Sequence, residues 1–400
     1  MRKLFILRGA PASGKDTLIK TLGLERYAVS YDSIRRALCP VSATDSGHVR
    51  VCPHFINTTV AQVAREAVEF RMRLGDTVIL NNTNVKAKNT RSFRDLARMY
   101  DYSVVDVNVQ GAVSLEELLV RNSRRGIDQV PESVIRDMWV LGAKTIPGEL
   151  AGVTRRTFLE KVGHTRHERV TVFGDVHSCS HALEEAMLDH ANSDWVFSGD
   201  LFDRGPDPVK VFQLLSETKH PYVLVEGNHE TNLRAVVNGY APNTHYAVTR
   251  KTWDELQKHG VTVADIHRVI LDRLVPATSF STGSTSVLVT HGGINCDGVE
   301  KYGDDLYLTE PVRYYTQGVS KRDDVSINRS TYSDFMGNVE PVLDVQIFGH
   351  RSGTEGVREE VIQPERNLYG LDSAVERGGH LTTATVEGDT VTIDTYKEEQ

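Results

Sequence analysis

Cysteine is scarce in this chain. The four present among 400 residues, Cys39, Cys52, Cys179 and Cys296, are scattered too irregularly to make a disulfide framework. Long apolar runs are missing too. Stretches such as Leu4–Leu7 and Val287–Val289 fall far short of the ~20 residues that cross a bilayer. Met1-Arg2-Lys3 followed by apolar residues has the charge of a signal-peptide start, but Arg8 ends the run, so a strand is expected there and no targeting segment. No internal repeat and no low-complexity tract is present. These absences argue against a membrane-spanning, a disulfide-stapled or a disordered protein, and the expectation is a soluble, cytoplasmic one.

What is present is an ordinary globular mixture, 40% hydrophobic and 25% charged, with length enough for two or three domains at ~100–200 residues each. The net charge of −8 hides a split. Residues 1–147 hold 22 Lys+Arg against 15 Asp+Glu, and the remainder 24 against 39. Only His48 and His54 of the 15 histidines fall in the first part. A basic half suits a polyanionic partner, and an acidic, His-rich half suits bound cations; chance plus solubility is the bland alternative.

Up to residue 147, strand-like runs (Leu4–Leu7, Thr77–Leu80, Ser103–Val109) alternate with helical patterns (Thr58–Gly75, Asn89–Tyr100), which argues for an α/β domain with an open parallel sheet. Pro147-Gly148, Arg155-Arg156 and the polar run Lys161–Arg169 mark residues 148–167 as a linker. Residues 168–400 are then a second α/β domain.

Gly9-Ala10-Pro11-Ala12-Ser13-Gly14-Lys15-Asp16-Thr17 follows the first strand and opens a helix, the context of a phosphate-binding loop. Backbone N–H groups of Gly9, Ser13, Gly14 and their neighbours would face phosphate oxygens, and Lys15 would reach the outer phosphates. Asp16 stands where the pattern has Ser or Thr. Tyr31-Asp32-Ser33-Ile34-Arg35 falls where the next strand–helix loop should lie, so Asp32 is a candidate base and Arg35 a candidate phosphate contact. A capping Asp with a solvated Arg is the alternative. Asn81-Asn82-Thr83-Asn84 ends another strand, with Asn82 and Thr83 placed on the acceptor side. Arg121 and Arg125, four apart, would share a helical face and could clamp a transferring phosphoryl group, unless that helix is merely basic. Cys39, His48, Cys52 and His54 fit no standard zinc spacing, and an irregular loop is expected there.

This series of motifs resembles the 5′-kinase domain of polynucleotide kinases. The resemblance implies that Lys15 binds the donor phosphates of ATP or another nucleoside triphosphate with Mg²⁺, and that Asp32 takes the proton from a 5′-hydroxyl. It further implies that Arg35 holds the neighbouring acceptor phosphate, that Arg121 and Arg125 close over the donor, and that Val130-Pro131 and Val134 pack on a nucleobase. The family has Ser or Thr at position 16 and Asp at position 82. Asp16 with Asn82 is therefore either a swapped carboxylate near Mg²⁺ or the mark of a weakened kinase.

In the second half, five strand-like runs each lead into a polar block: Gly174-Asp175-Val176-His177, Gly199-Asp200-Leu201-Phe202-Asp203-Arg204-Gly205, Gly227-Asn228-His229-Glu230, His291-Gly292-Gly293 and Gly349-His350. Hard oxygens with imidazoles suit a pair of divalent transition-metal ions sharing one carboxylate, with Asp200 the natural bridge. The order resembles the calcineurin-like binuclear metallophosphoesterases. That resemblance implies Asp175, His177 and His350 at one metal, Asn228 and His291 at the other, Asp200 shared, and Mn²⁺ as the first candidate ion. It implies Arg204 on the substrate phosphate and His229, oriented by Asp203, at the leaving group, with Asp372 near the second metal.

The two halves together resemble the bifunctional polynucleotide kinase-phosphatases of bacteria and phages, without a ligase. Asn295-Cys296-Asp297-Gly298 lacks the Lys of a ligase nucleophile motif, and no Asp-x-Asp-x-Thr phosphatase motif occurs. The expected function is end healing: phosphorylating a 5′-OH on RNA or DNA and removing a 3′-phosphate, with 2′,3′-cyclic phosphate a further candidate, before a separate ligase seals the ends. The host cytoplasm is the expected location if the gene is a phage's, no membrane partner is expected, and a homo-oligomer is allowed. The alternatives are a small-molecule kinase joined to a protein phosphatase or dinucleoside polyphosphate hydrolase, and an end-binding protein with a decayed kinase.

Overall fold

The structure is a computed structural model that describes all residues except 1, 45–46, 51, 54, 146–152, 242–245, 319–336, 352–361 and 400. The chain divides into two units, Met1–Glu160 and Lys161–Gln400.

In the first unit, β1 (Lys3–Arg8) is apolar on both faces and accordingly central, with Leu4 to Leu7 buried. The elements that follow are α1 (Lys15–Thr21), β2 (Ala28–Val29), α2 (Tyr31–Leu38), the hairpin β3 (Val41–Thr44) and β4 (Gly47–Arg50), α3 (Ile56–Arg73) and β5 (Val78–Asn81). Then come α4 (Arg91–Met99), β6 (Ser103–Asn108), α5 (Leu115–Ser123), α6 (Glu132–Thr145) and α7 (Arg155–Phe158). The sheet order is β2-β5-β1-β6, with every pair parallel. Helix α3 shows why the pattern works: Val60, Ala64, Val68 and Met72 form one buried stripe four residues apart. In a parallel sheet all the strand ends point one way, so the segments after β1, β2 and β5 converge on one crevice.

Three expectations are corrected here. Residues 155–158 of the expected linker are helical, and Phe158 is buried against Phe5 with ring centroids 4.7 Å apart. Cys39 and Cys52 form a disulfide, with Cα atoms 5.2 Å apart, spanning a β-hairpin where an irregular loop was expected. That pairing also removes two of the four candidate zinc ligands; His54 lies outside the described residues. Arg125 is not on the helix of Arg121, because α5 ends at Ser123. Both side-chain ends of Asn122 engage the backbone of Val130 (Nδ2 to O, 2.7 Å; N to Oδ1, 3.0 Å) and turn the chain back.

The second unit stacks two six-stranded sheets. After β7 (Glu160–Lys161), which straddles the boundary, come β8 (Gly163–His167), β9 (Arg169–Phe173), α8 (Ser180–Asp189), β10 (Asp194–Phe197), α9 (Pro208–Glu217), β11 (Tyr222–Val225) and α10 (Asn228–Val237). They are followed by α11 (Ala247–Lys258), α12 (Val263–Ile266), β12 (Leu274–Val275), β13 (Ala277–Thr282), β14 (Thr285–Thr290), β15 (Val299–Tyr302), β16 (Asp305–Leu308) and α13 (Val312–Gln317). The last strands are β17 (Val345–Phe348), β18 (Ile362–Gln363), β19 (Leu368–Gly370), β20 (Leu381–Glu387) and β21 (Thr390–Tyr396). The sheet orders are β12-β11-β10-β9-β20-β21 and β18-β19-β17-β14-β13-β8. Strand β8 thus takes up the last part of the expected linker: its polar, exposed side chains read as a loop, yet they belong to an edge strand.

Valines and isoleucines such as Val172, Val196, Val289 and Ile347 fill the space between the sheets. A second cluster, including Phe173, Phe197 and Trp253, packs under the helices. No helix among the described residues is long and apolar enough to cross a membrane.

Candidate functional sites

In the first unit, Gly14 holds φ 97°, a left-handed conformation that turns the loop after β1 into α1. Lys15 Nζ folds back onto Gly9 O (2.8 Å), Ala10 O (3.0 Å) and Ser13 Oγ (3.2 Å). Burial pushes its ammonium down to about 8, against the pull of Asp16. Gln110, to which the sequence reading gave no role, pins the loop from below: Ala10 N–H donates to its Oε1 (3.1 Å) while its Nε2 donates to Trp139 O (2.8 Å).

A cleft of ≈ 870 Å³ runs along this loop, lined among others by Ser13, Gly14, Lys15, Asp16, Thr17, Asp32, Arg35, Asn82, Thr83, Arg121 and Arg125. Asp32 is not in a loop but in the first turn of α2, which Ser30 caps by accepting from Ser33 N–H. Its Oδ1 is 2.6 Å from Arg35 Nη1, and its Oδ2 is 3.8 Å from Arg125 Nη2. Asn57, another residue without a role in the sequence reading, accepts from Arg35 Nη2 at 3.1 Å. Asn82 does not face Asp16: its Oδ1 accepts from Tyr31 N–H (2.8 Å) and so fixes the start of α2. The neighbour of Asp16 is Asn81, whose Nδ2 donates to Asp16 Oδ1 at 2.6 Å. Arg121 is turned to Glu117, 2.7 Å away.

In the second unit, the segments after β9, β10, β11, β14 and β17 bring their polar residues to one buried point. Asp200 Oδ2 lies 3.3 Å from His291 Nε2, 3.8 Å from His177 Nε2 and 3.9 Å from His229 Nε2. Side-chain donors gather into two sets that share Asp200: His177 with His229, and His291 with His350. Asn228 Oδ1 is 3.2 Å from His291 Nε2, Asp175 Oδ2 is 3.9 Å from His177 Nε2, and His350 N–H donates to Asp175 Oδ1 at 3.2 Å. His177, Asp200, Asp203, Arg204 and His350 all hold positive φ, between 46° and 72°, strain of the kind that functional sites retain.

The electrostatics suit cations. Burial, with Asp372 and Asp200 close by, drives the Asp175 carboxyl well up. Burial raises Asp372 too. Asp200 resists its own burial because His291, His229 and His177 hold it well below the usual carboxylate range. Converging buried carboxylates of this sort are relieved by divalent ions. The Nδ1 atoms of His177 and His291 face the carbonyls of Phe202 (3.1 Å) and Ser198 (2.9 Å), an orientation that turns each Nε2 toward Asp200 as a candidate ligand atom.

His229 Nδ1 is 2.6 Å from Asp203 Oδ2. Burial alone would lower this imidazole, but Asp200 and Asp203 outweigh it and hold it up. Arg204, exposed, reaches His177 Nε2 (2.9 Å) and Glu376 Oε1 (3.4 Å). Glu230 had no role in the sequence reading: its carboxylate accepts from Asp200 N–H (2.7 Å), Leu201 N–H (2.8 Å) and Gly227 N–H (3.0 Å), clamping the loops that carry Asp200 and Asn228 together. The Gly-Asn-His-Glu spacing was the available signal. Thr249, Thr252 and Glu376 carry no such signal, because only folding brings them to Asp203 and Arg204.

Residues 4–139 match the AAA domain family model and residues 168–363 the calcineurin-like phosphoesterase model. A symmetrical bis(5′-nucleosyl)-tetraphosphatase of Wigglesworthia glossinidia brevipalpis is 38% identical over 68 residues, 16% of this chain and 24% of that protein. The human serine/threonine-protein phosphatase with EF-hands 2 is 26% identical over 148 residues, 34% of this chain and 18% of that protein. The chain spans about a quarter of the length of the tetraphosphatases it matches. Among solved structures, a putative diadenosine tetraphosphatase is 21% identical with a TM-score of 0.43, covering 60% of this chain and 100% of that one. A putative kinase from Chloroflexus aurantiacus is 19% identical with a TM-score of 0.28, covering 38% of this chain and 84% of that one.

Proposed function

We propose that this chain, an AAA-type P-loop domain fused to a calcineurin-like metallophosphoesterase domain, heals broken polynucleotide ends. The observation that carries the reading is Asp32, set between Arg35 and Arg125 in the cleft that also holds Lys15. A carboxylate there can take the proton of an acceptor hydroxyl. Arg35, steadied by Asn57, can grip the phosphate next to that hydroxyl, while Arg125 and Lys15 meet the charge of the phosphoryl in transfer. An acceptor with a phosphate beside its hydroxyl is a polynucleotide 5′-end, with ATP or another nucleoside triphosphate and Mg²⁺ as donor.

In the second domain Arg204 grips a 3′-phosphate, and His229 hands a proton to the leaving oxygen. Asp175, His177, Asp200, Asn228, His291 and His350 would hold two divalent ions, Mn²⁺ the first candidate, which polarise the phosphate and activate the attacking water. RNA or DNA ends are the substrates, and a separate ligase is the functional partner.

The relatives named as bis(5′-nucleosyl)-tetraphosphatases favour a second reading, hydrolysis of a dinucleoside polyphosphate. One RNA oligonucleotide with a 5′-OH and a 2′,3′-cyclic phosphate, incubated with ATP, Mg²⁺ and Mn²⁺ and read by intact mass, separates the two. Gain of a phosphoryl group at the 5′ end with loss of phosphate at the 3′ end is the expected result. No change at either end, with turnover of diadenosine tetraphosphate, would replace the first reading by the second.

A further inference from the structure

We infer that Asp16, held by Asn81, makes nucleotide binding in the P-loop conditional on a divalent cation. The inference rests on the nucleotide-binding reading of the first domain. In a P-loop the residue after the lysine ordinarily offers a neutral hydroxyl to the cation that accompanies the phosphates. Here it is a carboxylate, and it lines the same cleft as Ser13, Lys15 and Thr17. A nucleoside triphosphate carries its negative charge to this end of the cleft, so without a cation Asp16 repels it. With a cation between them the same carboxylate becomes a ligand, of the hard oxygen type that Mg²⁺ prefers.

Asn81 decides how much negative charge the site holds. It is the last residue of β5, buried, and paired in register with Leu7 of β1, so its position is fixed by the sheet. Its amide engages one oxygen of Asp16 at 2.6 Å and adds no charge of its own. The hydrogen bond holds that oxygen of Asp16 on Asn81, while the Lys15 ammonium sits on the carbonyls of Gly9 and Ala10. One oriented negative charge is left for the cation.

The fit of the site to a nucleotide and its cation is seen in the loop itself: the left-handed Gly14, the folded-back Lys15 and Arg125 give the cleft its cations, and Asp16, directly after the lysine, is the acid of the loop, while Asp32 and Asp128 line the cleft from other segments. A serine in place of Asp16 would leave the cradle basic with or without metal.

The test is a binding measurement on the full chain, using a non-hydrolysable β,γ-imido nucleoside triphosphate with a fluorescent ribose label. Affinity is compared in Mg²⁺ and in EDTA for the wild type, Asp16→Ser and the equally sized Asp16→Asn. Replacing Mg²⁺ by EDTA is expected to weaken binding about 100-fold or more in the wild type and about tenfold or less in either variant. Asn81→Asp, which adds a second carboxylate, is expected to deepen the wild-type loss. Equal losses in wild type and both variants, with nucleotide bound in Mg²⁺, would overturn the role of Asp16 and leave the nucleotide site standing. No binding by the wild type in Mg²⁺ would overturn both.

Discussion

His229 Nδ1 lies 2.6 Å from Asp203 Oδ2, and Asp203 is in turn held by Thr249 Oγ1 at 2.5 Å and Thr252 Oγ1 at 2.6 Å. Both carboxylate oxygens are thereby used, in a place that is almost wholly buried. The imidazole has its Nδ1 occupied and its Nε2 turned toward Asp200. A carboxylate thus orients the imidazole from behind, as the proposed role of His229 as proton donor requires.

Asp203→Asn is expected to lower kcat on a phosphomonoester by on the order of 100-fold, since the imidazole loses both its orientation and the charge that favours its protonated form. Metal content, measured by elemental analysis, should not change, because Asp203 is engaged by His229, Thr249 and Thr252 and is not among the residues read as metal ligands. Thr252→Val should cost much less, about threefold to tenfold, by loosening Asp203 alone.

Gly227 sits where a Cβ would run into the Asp200 carboxylate and the Asp200 backbone nitrogen. Gly227→Ala should therefore displace the residue read as the bridge between two metals. The expected outcome is loss of bound metal and of phosphatase activity, with the far-ultraviolet circular dichroism spectrum unchanged. The first domain should still bind nucleotide.

Burial lowers the Lys15 ammonium to about 8. Phosphate contact favours the charged form, so its value rises on binding and binding takes up a proton. Nucleotide affinity should then be full below pH 8 and fall as pH rises through about 8, by up to about tenfold per unit. Titrations from pH 6.5 to 9.5 would check this. A flat profile would mean that Lys15 stays charged throughout.

Thiol counting checks the disulfide. Cys296 is exposed and Cys179 is buried, with its thiol pushed up to about 12 by burial and by the nearby Glu398 and Glu376. Native protein should react with a disulfide reagent at Cys296 alone. Denatured protein should show two thiols, and four only after reduction, because Cys39 and Cys52 are paired.

The sequence alone determined a great deal where local pattern and chemistry coincide. Runs such as Leu4–Leu7 are strands because an apolar segment of that length must be covered on both faces. Gly9–Thr17 is a phosphate-binding loop because of its glycines and Lys15. The blocks around Asp175, Asp200, Asn228, His291 and His350 were legible as candidate ligands because each follows an apolar strand, and parallel strands carry their ends to one side.

Only the tertiary structure decided which neighbours those residues meet. Asn81 and not Asn82 faces Asp16 because side chains alternate along a strand, and the phase of that alternation is set by pairing with β1. Thr249 and Thr252, about fifty residues away, reach Asp203 through the packing of α11. The disulfide of Cys39 and Cys52 required the hairpin between them. Polar edge-strand residues such as His164 and Arg166 read as a linker because an exposed edge places no demand for apolar side chains, although its backbone pairs with β13 along one side.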